Sequence, residues 1–201
     1  MATHDVAIID SGGANIASLR FALARLGVDA RLTTNAKTIR DASHVILPGV
    51  GAAAAAMLRL KETGLDELIP TLQQPVLGIC LGMQLLAKSS EEDNATCMGV
   101  IPGTAKKLAA SPVTPVPNMG WSPTSFARQN ALLDGIDDGS YFYFVHSYAL
   151  PVADYAIATA NHVDEFTAVL KQDNFYATQF HPERSSTAGA QLLANFLEMQ
   201  G

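Results

Sequence analysis

The chain has 201 residues, a formal net charge of −6, 48% hydrophobic residues and 16% charged ones. That length suits one domain with a sizeable core, and the acidic balance lacks the clustered Lys and Arg of a phosphate-binding surface, so no nucleic acid is expected as a partner. No stretch approaches a membrane span, and the opening MATHDVAIID places an acid ahead of a short apolar run, unlike a signal peptide, so the expected location is cytoplasmic.

Residues 6–10 form a short apolar run that predicts a strand. After the loop 11–15, Ile16, Leu19, Phe21, Leu23 and Leu26 recur at near-helical spacing until Gly27. The glycines of that loop lack the G-x-G-x-x-G order, and no P-loop lysine follows, which excludes a phosphate site. The loop would still lie at the carboxyl end of a strand, the edge where open parallel sheets bind ligands and partners. Residues 28–33 predict a second strand, 35–40 a short helix, and 44–47 a third strand running into Pro48-Gly49-Val50-Gly51. An alanine-rich helix over 52–60 and an amphipathic helix over 65–73 complete the first half. Strand–helix alternation at this density predicts an α/β fold: a doubly wound, mostly parallel sheet with helices on both faces.

Residues 75–84, PVLGICLGMQ, carry the strongest signal. A short strand at Val76, Leu77 and Ile79 meets an apolar helix over 81–88, and Gly78 and Gly82 flank Cys80 in the pattern of a nucleophile elbow. Glycines there remove side chains that would collide as the chain reverses, and the turn sets the thiol beside a helix N-terminus, which favours the reactive thiolate. A free cysteine is more often a small buried hydrophobe, so the chemical reading needs a base. Cys80 and Cys97 have no C-x-x-C or Cys/His ligand spacing, so neither a disulfide framework nor a metal site is expected.

The second half reads as β-rich, supplying extra antiparallel strands. Residues 89–94 predict a polar loop, and five prolines between 102 and 123 exclude a long helix. Strands are predicted over 141–145, 155–159, 167–171 and 175–180, with a hairpin turn at 172–174, and a closing helix over 185–199. The base follows the last strand. In Gln179-Phe180-His181-Pro182-Glu183 an extended backbone would point residues 181 and 183 to one side, so that Glu183 orients one ring nitrogen of His181 and the other faces a nucleophile. His146 and His162 are rivals without a carboxylate so placed. The two-glycine loop at 48–51 could be a simple connection, yet acyl chemistry needs a second N–H donor from a separate loop, and this loop can supply one.

GICLGMQ (78–84), LPGVG (47–51) and QFHPE (179–183), in this order, resemble the class I (triad) glutamine amidotransferases. VPNMGWS (116–122), YFVHSY (143–148), SSEED (89–93) and IDSGGAN (9–15) are similar to the glutaminase subunits of imidazole glycerol phosphate synthase within that class, and the match covers residues 1–201 as one amidotransferase domain. Asn118 and Ser122 depart from the family's usual His and Asn, and Ser11 stands where an aromatic is usual; these departures are expected to bear on partner contacts. The resemblance implies Cys80, His181 and Glu183 as the catalytic triad and the N–H groups of Leu81 and of Val50 or Gly51 as the oxyanion hole. It further implies L-glutamine as substrate, held by Gly51, Gln84 and Ser147, with no metal or organic cofactor. It implies a heterodimer with a (β/α)8-barrel cyclase that uses the ammonia in histidine biosynthesis, facing Asn15, Met119 and Trp121. A γ-glutamyl hydrolase or peptidase on the same fold, and a non-catalytic regulatory subunit, are the competing readings.

Overall fold

Strand and helix alternate through the first half as the apolar spacing requires. In the computed structural model, which describes residues 4–12 and 16–200, these elements are β1 (Val6–Ile9), α1 (Ile16–Arg25), β2 (Arg31–Thr33), α2 (Ala36–Asp41), β3 (His44–Gly49), α3 (Ala53–Glu62), α4 (Leu65–Leu68), β4 (Val76–Cys80) and α5 (Leu81–Leu86). The second half runs β5 (Ala87–Ser90), β6 (Ala95–Thr96), β7 (Ile101–Lys107), β8 (Asn118–Pro123), β9 (Ser125–Phe126), β10 (Tyr141–His146) and β11 (Tyr148–Ala149). It closes with β12 (Ala156–His162), β13 (Asp164–Gln172), β14 (Phe175–Thr178) and α6 (Ser186–Leu197).

The main sheet has the order β2-β1-β3-β4-β14-β13-β12-β9. Its first five strands are parallel, and β13, β12 and β9 extend it antiparallel. Because side chains alternate across a strand, Ala7, Ile9, Val45 and Leu47 join one core layer, with Ile39 of α2, Met57 and Leu60 of α3 and Met83 of α5. Val6, Ile8, Ile46 and Leu77 join the other, with Leu19 and Leu23 of α1 and Leu192 and Phe196 of α6. Helices therefore cover both faces of the parallel region. A four-stranded sheet, β11-β7-β5-β6, and the antiparallel ribbon β10-β8 stand beside it.

Three local expectations change. The helix after Cys80 ends at Leu86, and residues 87–90 form β5 rather than helix and loop, pairing with β7 and β6. Its burial does not alternate, since Ala87 and Ser90 are buried three residues apart and the register against β7 shifts between Ala87 and Ser89, so no two-residue period marks the segment as a strand. The helix expected over 65–73 is one α turn followed by a 3-10 turn at Ile69–Thr71, where Pro70 lacks a backbone donor. In α1, Phe21 lies outside the buried stripe and is 67% exposed.

Candidate active site

Cys80 closes β4, and α5 begins one residue later. Its backbone has φ 54 and ψ −108, a conformation that side-chain-bearing residues rarely adopt and that costs on the order of 1–3 kcal/mol unless its surroundings enforce it. They do. A Cβ on Gly82 would lie 1.8 Å from the Leu47 carbonyl oxygen of β3, and one on Gly78 would lie 3.0 Å from the Gly82 backbone. Gly82 is thus needed for the chain to reverse against its neighbouring strand, Gly78 lets the following helix pack closely on β4, and the reversal leaves the thiol at the tip.

His181 follows β14 and is held by its own backbone: its N–H donates to the Tyr143 carbonyl at 3.0 Å, and Ser185 Oγ donates to its carbonyl at 2.7 Å. The ring is 2.8 Å from Glu183 through Nδ1, which donates to Oε1, and it lines the same cavity as Cys80. Burial alone would lower the His181 pKa; its interactions with Cys80 and Glu183 outweigh it and push it up to about 10. The route to this pair differs from the extended one expected. Residues 182–184 form a 3-10 turn with Pro182 at its start, and it is this turn that carries the carboxylate back to the ring. Among the described residues the second Glu183 oxygen, Oε2, is buried without a hydrogen-bond partner.

One cavity of about 320 Å³ brings the pieces together. Val50, Gly51, Cys80, Leu81, Gln84, Ser147 and His181 all line it, and Glu183 sits behind His181. The rival histidines are occupied elsewhere. His146 Nδ1 lies 2.9 Å from the Tyr148 carbonyl, which can only accept, so Nδ1 carries the proton and Nε2 accepts from Asn118 Nδ2 at 3.0 Å. Burial holds His146 neutral, with its pKa lowered to about 4. His162 Nε2 bonds the Pro115 carbonyl at 2.9 Å.

Of the residues expected to meet a partner, Met119 and Trp121 are 65% and 50% exposed, on β8 itself rather than on a strand-end loop; Asn15 lies outside the described residues. Asn118, whose departure was expected to bear on partner contacts, is instead buried against His146 because the alternation of β8 turns it inward. Ser11 is likewise inside, its hydroxyl donating to the Pro48 carbonyl at 2.7 Å. Sequence reasoning missed two residues of the site. Glu92 lines the cavity and accepts from the Ala53 N–H at 2.8 Å, and Gln179 Nε2 lies 3.8 Å from Cys80 Sγ. The acids of SSEED and the glutamine before FHPE were visible signals, but neither has a sequence spacing to the nucleophile that chemistry dictates.

Among the described residues no group of three or more His, Cys, Asp or Glu is placed to hold a metal ion, and no helix is long and apolar enough to cross a membrane.

Residues 7–199 match the family model of glutamine amidotransferase class-I. The chain is 51% identical over 195 residues to imidazole glycerol phosphate synthase subunit HisH 2 of Legionella pneumophila, covering 97% of this chain and 98% of that one. It is 49% identical, with the same coverage, to subunit HisH of Xylella fastidiosa, and 45% identical over 205 residues to subunit HisH 1 of Vibrio vulnificus, there covering 99% and 100%. Among solved structures, a glutamine amidotransferase superposes with a TM-score of 0.75 at 18% identity, covering 96% of this chain and 97% of that one. A second glutamine amidotransferase, from Thermotoga maritima, superposes with a TM-score of 0.69 at 16% identity, covering 99% and 100%.

Proposed function

The chain belongs to the class I glutamine amidotransferases, and from that premise we propose that it is the glutaminase subunit of an imidazole glycerol phosphate synthase, acting in the cytoplasm on L-glutamine. The observation that carries the chemistry is Cys80 and a His181 ring, itself 2.8 Å from Glu183 through Nδ1, together on the wall of a cavity at the lower end of ligand size.

The Cys80 thiolate attacks the side-chain amide carbon of glutamine, and the carbonyl π pair moves onto oxygen. The N–H groups of Leu81 and of Val50 or Gly51 meet that charge, each such donor lowering the barrier by roughly 3 kcal/mol. His181 gives its proton to the leaving nitrogen, the C–N bond breaks, and ammonia departs from a γ-glutamyl thioester. The imidazole, now neutral, takes a proton from water, and hydroxide addition with loss of sulfur gives glutamate. Glu183 holds the ring in one tautomer throughout. Gln84 and the Ser147 backbone hold the substrate, and the Glu92 carboxylate supplies charge of the sign that an α-ammonium group requires.

Ammonia freed into water is protonated and lost as a nucleophile, so the product is useful only beside an acceptor enzyme. The acceptor in this reading is a (β/α)8-barrel cyclase bound as a heterodimer. The exposed Met119 and Trp121 on the ribbon support a docking face there: Trp121 packs edge-on against Tyr143, whose carbonyl holds the His181 N–H. Asn15 belongs to the same proposed face. Glutamate release measured with and without a cyclase subunit from a relative tests chemistry and partnership together. A several-fold rise on mixing, lost in Trp121→Ala, is the expected result. Glutamate release that the cyclase does not change sinks the partnership, and none under either condition sinks the glutaminase.

A further inference from the structure

Cys80 Sγ has two neutral neighbours with opposite demands. On one side the Val145 carbonyl lies 3.8 Å away and can be satisfied only by an S–H donor. A thiolate there faces the negative end of a dipole. On the other side Gln179 Nε2, also at 3.8 Å, donates toward the sulfur and favours its charged form.

The direction of the Gln179 amide follows from its neighbours. The Tyr148 carbonyl can only accept, which fixes the nitrogen of Gln84 toward it at 2.9 Å. The second hydrogen of that nitrogen meets Gln179 Oε1 at 3.3 Å. Gln179 therefore presents oxygen to Gln84 and nitrogen to the sulfur; the flipped amide would set NH₂ against NH₂ and oxygen against sulfur. The residue is fully buried, at 0% exposure, so no water competes for the contact. The titratable groups around the sulfur are His181 with Glu183 behind it, the neutral His146, and Glu92 and Tyr148 across the cavity. His181 is the only one of these that can face Cys80 as a cation, and it becomes neutral once its proton has gone to ammonia.

We infer that the Gln179 side-chain amide is a thiolate-holding member of the catalytic centre, donating to Cys80 Sγ whenever the sulfur carries charge. It acts before attack and again when the C–S bond of the γ-glutamyl thioester breaks and the electron pair returns to sulfur. The inference rests on the proposed glutaminase reading. Because Gln179 touches the sulfur and not the cavity, its removal should lower kcat, and any change in KM would come through Gln84, whose nitrogen it also holds.

The test uses Q179M and Q179L, which keep apolar bulk and remove the donor. Iodoacetamide labelling of Cys80, followed by peptide mass against pH in the free subunit, needs neither substrate nor partner. The midpoint should rise by about one pH unit in the variants, with a roughly tenfold slower reaction at neutral pH. Glutamate release by the complex should fall about tenfold in kcat and recover toward higher pH. In the wild-type chain the Gln179 side-chain amide resonances should titrate together with the thiol, a measurement that stands even where a variant does not fold. Folded variants with the parental labelling profile, or a Gln179 resonance flat through the thiol titration, would overturn the inference. A wild-type complex that releases no glutamate while labelling still responds to residue 179 would instead sink the glutaminase reading alone.

Discussion

Cys80 and Cys97 are the same side chain in two settings that look alike at first sight. They are 6% and 9% exposed, and each sulfur lies 3.8 Å from a backbone carbonyl, that of Val145 for one and of Ala95 for the other. Around Cys97 burial dominates and pushes its thiol up to about 11, with Lys61 only partly opposing it. Around Cys80 stand an imidazole backed by a carboxylate, a buried amide donor, and a strained backbone that opens the sulfur onto a cavity. Burial makes a cysteine inert by default, and it is the donors aimed at it that reverse the outcome.

Exchanging each sulfur should separate the two most widely. Cys80→Ala is expected to lower glutamate release by about 10⁴-fold or more, the loss typical of a removed nucleophile, while Cys97→Ala leaves release unchanged. Equal losses in the two variants would erase the distinction.

The backbones beside the two residues should differ next. Gly82→Ala forces a Cβ to 1.8 Å from the Leu47 oxygen, where neither backbone can yield, and is expected to cost about 3 kcal/mol or more in thermal or denaturant unfolding. Gly99, two residues after Cys97, has φ +73 with open space around it, so Gly99→Ala carries only the conformational penalty of roughly 1–2 kcal/mol. A Gly82→Ala protein as stable as the Gly99→Ala one would mean that the elbow relaxes more easily than its contacts allow.

Glu183→Gln is expected to lower kcat by about 100-fold and to bring the His181 pKa down from about 10, read by NMR of the ring. The sign for stability follows. The value is raised above its ordinary 6.5, so the histidine's contribution is fully present below 6.5 and is lost as pH climbs through about 10. With Gln at 183 the loss should begin at lower pH. Stability curves that coincide across that window would show that the carboxylate does not hold the imidazolium.

Much of this was legible along the chain. Glycine spacing around Cys80, the proline and glycine that close β3, and the His-x-Glu pair all report local backbone demands that a short window of sequence carries. The His181–Glu183 contact was anticipated for a mistaken reason: a proline in an extended chain and a proline opening a 3-10 turn leave the same letters. Gln179 and Glu92 were not legible because their roles arise only when segments 99 and 39 residues apart in sequence are folded together, with Cys80 and Ala53 as their respective contacts. β5 was hidden because its four residues are mostly polar and carry no two-residue apolar alternation.

The taper of the main sheet sets a limit on how copies of this protein can meet. One rim, β2, pairs through three residues, and the other, β9, through two. Rims so short leave few free peptide groups in a row, so lateral stacking of one molecule on the next by strand addition is blocked at both ends of the fold. In a crowded solution, unwanted adhesion would therefore fall to exposed apolar side chains, the indole and thioether of the ribbon among them, and covering these two is as much a matter of solubility as of catalysis.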